Sequence, residues 1–122
     1  AKRAKALAVS IAAHSPLMDS IQSEWNDAVE ACSINAPAIP VIGNVNASVL
    51  LTATELRADI KAQMQSRVRW TESVVMMSGS GIQTYVEAGS GEVLLGLVKR
   101  INGDAVRFPL GVPSNFSALE SL

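Results

Sequence analysis

The alternation of hydrophobic and polar positions predicts strands and helices in turn. Residues 5–12 form an apolar run typical of a buried strand. Ser15-Pro16 then supplies a hydroxyl N-cap and a proline suited to the first helical turn. The apolar residues that follow are spaced by four, four, three and four positions, which predicts one stripe along a helix: Leu17, Ile21, Trp25, Ala28 and Cys32.

The same alternation continues to the end of the chain. Val41-Ile42 predicts a short buried strand, and Thr52 with Glu55 fits a capping box at the start of a helix. Later predicted elements are a helix over 70–78 ended by Gly79–Gly81, a strand over 84–87, a helix over 93–101, a strand over 105–110 and a short helix near 114–119. Four strands alternating with five helices predict an α/β fold, a largely parallel sheet with flanking helices.

Composition narrows the possible functions. The chain of 122 residues is 48% hydrophobic and 17% charged, enough to bury the core of one domain. Ten basic residues are balanced by eleven acidic ones, so the sequence predicts no nucleic-acid binding. The short, interrupted apolar runs predict no membrane span. A single cysteine, Cys32, excludes an intrachain disulfide and fits a reducing cytoplasm, and its place on the apolar stripe predicts a core residue.

His14 is the strongest candidate for chemistry because it is the only histidine and directly follows an apolar strand. Loops at the carboxyl ends of strands line the active-site crevice in α/β sheets, and a histidine there can act as a general base near neutral pH. The alternative, a structural histidine bonded to the backbone, stays open on position alone. One Cys and one His are too few for an ordinary zinc site.

Glycine-rich segments offer a weaker signal. Gly89-Ser90-Gly91 before a helix suggests a phosphate-binding loop, but Leu94 stands at the third glycine position of G-x-G-x-x-G. A tight turn is favoured, with Glu92 complementing the helix dipole. The 122 residues contain no G-x-S-x-G nucleophile elbow.

Four segments, in order along the chain, are similar to known sequence motifs. The segment ending in His14-Ser15-Pro16-Leu17-Met18 is similar to H-[ST]-x-L-M. Residues 39–45, 63–70 and 85–94 are similar to I-P-V-x-x-N-V, Q-x-x-x-P-V-x-W and E-x-G-P-G-x-V-L. Together the four segments resemble the malonyl-CoA:acyl-carrier-protein transacylase family. Arg67 and Ser90 replace two family prolines, and Ala13, where some relatives have phenylalanine, leaves the acyl-group specificity open.

The resemblance implies a fold and a reaction. Residues 1–9 would be the return strand from a ferredoxin-like small subdomain, and residues 10–122 the C-terminal part of the large hydrolase-like subdomain. The implied reaction moves a malonyl group from malonyl-CoA, a coenzyme A thioester, to the phosphopantetheine thiol of acyl carrier protein in fatty acid biosynthesis. His14 would be the general base, and the backbone carbonyl of Gln63 would hold its ring. No cofactor is implied beyond the phosphopantetheine of the partner.

The family's serine elbow, oxyanion-hole glutamine and malonyl-binding arginine have no counterpart in the 122 residues. The start at alanine rather than methionine suits a fragment or a processed product. We therefore expect the chain alone to be inactive, a complementary N-terminal fragment to bear the serine, and an apolar sheet face or edge to stay uncovered. The alternative is a non-catalytic truncated module that docks to carrier protein or to a fatty acid or polyketide synthase.

Overall fold

The computed structural model describes Ala4 and residues 11–121, and it divides into two compact units, one ending at Arg69 and one beginning at Trp70. The helices are α1 (Gln22–Ala31), α2 (Ala53–Ala62), α3 (Trp70–Gly79) and α4 (Val93–Ile101), with 3₁₀ helices over Pro16–Ile21 and Pro113–Ser121. The strands are β1 (Val41–Ile42), β2 (Val49–Leu50), β3 (Thr84–Ala88) and β4 (Val106–Leu110). This mixture of helices with a small parallel sheet confirms the predicted α/β class. Within the described part, no helix is both long and apolar enough to cross a membrane.

The first unit is built on the packing of α1 against α2. The indole Nε1 of Trp25 donates to the carbonyl of Ile60 at 2.9 Å, and Gln22 Nε2 donates to the carbonyl of Lys61 at 2.9 Å. Val29 is buried at the same contact region of α1. These side chains from α1 therefore satisfy carbonyls near the C-terminus of α2, where intrahelical partners run out.

Helix α2 begins as predicted, at a capping box. The Thr52 hydroxyl accepts from the backbone N–H of Glu55 at 3.2 Å, and the Glu55 carboxylate accepts from the N–H of Thr52 at 2.9 Å. The N–H of Leu51 also donates to this carboxylate, at 2.8 Å. The bonds from Leu51 and Thr52 hold the pKa of Glu55 below its ordinary value because they favour the charged form.

The second unit contains the parallel pair. Strand β3 lies beside β4 with Thr84 opposite Val106 and Ala88 opposite Leu110, and α4 forms the crossover between them. Helices α3 and α4 pack on this pair around one apolar core: Val74, Tyr85, Leu95, Val98 and Ala105. Val86 and Val106, on one face of the sheet, are 45% and 48% exposed, so apolar sheet surface is uncovered, as expected.

Two predictions about the N-terminal elements are wrong. The stripe from Leu17 to Cys32 does not follow one buried helix, because residues 16–21 are a 3₁₀ helix and Leu17 is 80% exposed. Cys32 follows the last residue of α1 and is exposed rather than part of the core. Helix α2 reaches the Cys32 end of the stripe through the Arg57 guanidinium, which donates to the Cys32 carbonyl at 3.0 Å, so the backbone is bound there while the thiol stays on the surface. Of the predicted strand 5–12, residues 5–10 lie outside the described residues, and residues 11 and 12 are not in a strand.

The pairing of the short strand at Val41-Ile42 also differs from the prediction. It forms an antiparallel hairpin with β2, which the sequence did not reveal, rather than a strand of the parallel sheet. The N–H of Gly43 donates to the carbonyl of Ser48 at 2.9 Å and closes the loop, in which Ala47 has a φ of 52°. A two-residue strand is too short to show a period, so its partner is set by this loop.

Candidate active site

His14 lies in a tight turn with strained backbone geometry. Its φ is 64°, in the left-handed region that few non-glycine residues occupy. The hydroxyl of Ser15 donates to the carbonyl of Ala12 at 2.8 Å and accepts from the N–H of Leu17 at 3.3 Å. This serine therefore closes the turn on one side and begins the following 3₁₀ helix on the other. The His14 side chain is exposed, not enclosed in a core.

One nitrogen of the His14 ring is held by α2. Nδ1 lies 2.8 Å from the backbone carbonyl oxygen of Gln63, which directly follows the last residue of the helix. Because a carbonyl can only accept, Nδ1 carries the proton, and in the neutral ring Nε2 keeps its lone pair. The next residue repeats the pattern, since the N–H of Ser15 donates to the carbonyl of Met64 at 3.2 Å. The structure thus contains the hydrogen bond that the family resemblance implied.

The acceptor for His14 belongs to a row of carbonyls at the C-terminus of α2. The carbonyls of Ile60 and Lys61 accept hydrogen bonds from side chains of α1. The Ala62 carbonyl accepts from the N–H groups of Gln65 and Ser66. The carbonyls of Gln63 and Met64 accept from residues 14 and 15. The last carbonyls of a helix lie at the negative end of its dipole, which makes them good acceptors. Each has its own donor, so the end of α2 is a rigid support for the ring.

The other candidates from the sequence have local surroundings that do not support a catalytic or binding role. Cys32 donates its thiol to the Ala28 carbonyl at 3.3 Å and lies on the surface. Glu92 makes no capping hydrogen bond, and the amides at the start of α4 are bound instead by the Glu87 carboxylate. An anion-binding loop at Gly89–Gly91 would compete with that carboxylate. Among the described residues, no group of three or more metal-ligating side chains converges.

Two polar residues near the site were missed by sequence reasoning. Asn44 Nδ2 donates to the side-chain carbonyl of Gln63 at 3.0 Å, and Asp59, one turn earlier on α2, accepts from the backbone of the 44–45 loop. The only available signal was the place of Asn44 in the segment similar to I-P-V-x-x-N-V. Nothing in the spacing of Asp59 distinguished it from a solvated helix residue.

The first unit holds a histidine through one ring nitrogen, and the second unit is a small parallel α/β unit. A histidine anchored through one ring nitrogen is a feature of the class of enzymes in which a histidine assists a nucleophile, because the other nitrogen can then take the proton of the nucleophile.

Comparison with known proteins identifies homologues of this chain. The chain is 39% identical over 120 residues to the malonyl CoA-acyl carrier protein transacylase of Haemophilus influenzae, which covers 98% of this chain and 38% of that protein. The crystal structure of an acyl carrier protein S-malonyltransferase from Vibrio cholerae matches with 35% identity and a TM-score of 0.90, over 97% of this chain and 39% of that one. A malonyl-transacylase in complex with a type II polyketide synthase acyl carrier protein matches with 32% identity and a TM-score of 0.87, over 95% and 38% of the two chains.

The chain is a homologue of the C-terminal part of malonyl-CoA:acyl-carrier-protein transacylases. It spans 38% and 32% of the length of the Haemophilus influenzae and Bacillus subtilis proteins. No family model matches the sequence.

Proposed function

We propose that this chain supplies the general-base histidine of a transacylase that moves malonyl groups from malonyl-CoA to acyl carrier protein. The observation that carries the proposal is the 2.8 Å bond between His14 Nδ1 and the Gln63 carbonyl. That bond selects the tautomer in which Nε2 can accept a proton, and it orients the ring. The similarity to transacylases supports the proposed substrate class, and the hydrogen bond of the ring supports the proposed role of His14 as the base.

The proposed reaction has two halves. A serine hydroxyl attacks the malonyl thioester carbon while His14 Nε2 takes its proton, and that proton then passes to the departing coenzyme A sulfur. In the second half, Nε2 takes the proton of the phosphopantetheine thiol, and the sulfur attacks the malonyl-serine ester. The serine oxygen leaves and regains its proton from the ring. Each half returns His14 to its neutral state.

The nucleophile has to come from elsewhere in the assembled enzyme. The 122 residues contain no G-x-S-x-G, so we propose that the serine lies on polypeptide outside them, either in the same protein or in a complementary N-terminal fragment. Acyl carrier protein is the proposed acceptor partner, supported by the related malonyl-transacylase that was solved in complex with one. In this view residues 10–122 belong to the large subdomain that holds the catalytic pair.

The test is malonyl transfer by the enzyme assembled with its serine-bearing segment. His14→Ala should lower kcat by about 10²- to 10⁴-fold, the usual size of general-base assistance, with formation of the malonyl-serine ester slowed to match. Asp27→Asn, an exposed change on α1, is the matched control and should leave kcat unchanged.

Transfer by His14→Ala within a few-fold of the parent would contradict the role of His14. If that variant also still bound acyl carrier protein normally, the result would favour the non-catalytic docking module instead. If His14→Ala loses both its activity and the circular dichroism spectrum of the folded protein, the measurement is repeated with His14→Gln, which retains a polar side chain.

A further inference from the structure

A carboxylate on α2 binds the loop that follows β1. Asp59 Oδ2 accepts from the backbone N–H of Asn44 at 3.2 Å, and Oδ1 accepts from the N–H of Val45 at 3.1 Å. The same carboxylate lies 3.4 Å from the side-chain nitrogen of Gln63, one helical turn further on. Hydrogen bonds to a charged acceptor are about twice as strong as neutral ones, so Asp59 ties the loop firmly to the helix.

Asn44 completes a closed ring of contacts around Gln63. Its Nδ2 donates to Gln63 Oε1 at 3.0 Å, while Asp59 takes the other end of the same side-chain amide. The Asn44 backbone carbonyl accepts from the N–H of Arg69 at 2.8 Å, beyond the end of α2. Gln63 is thus held by two side chains, although it lies at the helix terminus, where residues normally fray.

Gly43 permits the close approach of loop and helix. A Cβ at this position would lie 2.7 Å from Asp59 Oδ1 and 3.1 Å from Leu50 Cδ1. No side chain fits between loop and carboxylate, so any larger residue has to push Asp59 away. The requirement for glycine here is one of contact distance, not of backbone conformation.

We propose that Asp59 and Asn44 are positioning residues that act through Gln63 on the ring of His14. Both form hydrogen bonds with the side chain of Gln63, and the backbone carbonyl of the same residue is the acceptor of His14 Nδ1. Releasing the side chain lets Gln63, the residue that follows the helix, move, and a displacement of about 1 Å is enough to cost roughly 10²-fold in rate. The inference rests on the proposed function of His14 for its effect on catalysis.

A spectroscopic experiment isolates the positioning effect, because His14 is the only histidine in the 122 residues. Nitrogen-15 NMR of the ring in the chain should show the Nδ1–H tautomer in the parent. In Asp59→Ala and Asn44→Ala we expect a mixture of both tautomers, because the acceptor no longer keeps its place. Glu30→Gln is the matched control: Glu30 pairs with Lys61 and Arg57 on α2 but not with the loop, so its loss should leave the tautomer unchanged.

The catalytic readout uses the assembled enzyme. Asp59→Ala should lower kcat by about 10- to 100-fold, the usual size of a supporting-residue effect, with KM for malonyl-CoA changed less than about threefold. Asp59→Asn keeps the shape and one acceptor oxygen, so it should recover much of the loss. It also serves as the milder variant should Asp59→Ala fail to fold.

The Gly43 contact provides a double-mutant cycle. Gly43→Ala should reproduce the defect of Asp59→Ala. The double variant should be no worse than Asp59→Ala alone, because the severe 2.7 Å clash disappears with the carboxylate and the remaining 3.1 Å contact is with the flexible end of the Leu50 side chain. Additive losses would overturn the coupling. Parent-like tautomer and kcat in Asp59→Ala, beside an inactive His14→Ala, would overturn the positioning role alone. An active His14→Ala would overturn the proposed function, while the tautomer result would still decide whether Asp59 orders the ring.

Discussion

Replacing Glu87 with glutamine removes the charged cap of α4 while keeping the size of the side chain. Glu87 is near the end of β3, and its two carboxylate oxygens accept from the backbone N–H groups of Leu94 at 3.2 Å and Leu95 at 2.9 Å. These amides belong to the first turn of the helix, where no intrahelical acceptor is available. One side chain therefore links the strand to the helix that crosses over to β4.

We expect Glu87→Gln to lower the free energy of unfolding by about 1–2 kcal/mol. A hydrogen bond to a charged group contributes about 1.5–3 kcal/mol, but glutamine keeps one carbonyl oxygen and can retain one of the two bonds. Its NH₂ group then faces the second amide, which is left without an acceptor. The favourable interaction of a carboxylate with the helix N-terminus, about 0.3–1 kcal/mol, is lost as well. Partial exposure of Glu87 keeps the total near the lower end of the sum of these contributions.

Urea unfolding followed by circular dichroism measures this loss, and Glu92→Gln is the matched control. Glu92 lies immediately before α4 but makes no capping hydrogen bond, so its replacement should cost only the dipole contribution. The midpoint should fall clearly for Glu87→Gln and slightly for Glu92→Gln, with the same slope in both. Equal shifts for the two variants would refute the reasoning, because they would show that charge alone, not hydrogen bonding, stabilises the helix start.

Two further predictions concern stability. Val74 is fully buried, so Val74→Ala should destabilise the protein by about 2 kcal/mol, from two methyl groups at about 0.8 kcal/mol each plus a small cavity. Val75→Ala, on the exposed side of α3, is the control and should shift the urea midpoint little. The lowered pKa of Glu55, caused first by the Leu51 amide and then by Thr52, stabilises the fold above the ordinary glutamate pKa of 4.5, and this stabilisation is lost as the pH falls through the folded-state pKa. The urea midpoints of the parent and Glu55→Gln should therefore differ at pH 7 and converge once the pH is below the lowered pKa of Glu55, and a difference unchanged at low pH would contradict the assignment.

Elements with strong local signals were predicted well. The capping box of Thr52 and Glu55 correctly located the start of α2, and the helix predicted over 70–78 is Trp70–Gly79. The apolar run over 93–101 is α4. Such signals depend on contacts between residues a few positions apart, which any folded state of the segment would share. Glu87 shows their limit: the carboxylate that caps α4 comes from the preceding strand rather than from Glu92, because the turn at 89–91 brings β3 back beside the helix.

The candidate site also combines residues that the sequence identifies with residues that it does not. His14 stands out in the sequence as a lone histidine, and its pairing with Gln63, 49 residues away, was implied only by resemblance to a family. Asp59 could not be distinguished from an ordinary surface residue, and Asn44 only by its place in the segment similar to I-P-V-x-x-N-V, because their role depends on a loop and a helix meeting at Gly43. The exposure of Cys32 likewise depends on where α2 meets α1.

By itself, then, the sequence determined most of the local elements, the α/β class and the choice of His14 as the candidate base. These follow from periodicity, capping and residue chemistry, which operate over a single turn of helix or a few residues of strand. Only the tertiary structure decided that β1 pairs antiparallel with β2, and that the end of α2 meets the turn at His14. Contacts of that kind join distant segments, and their geometry is set by packing and by hydrogen bonds that no local pattern encodes.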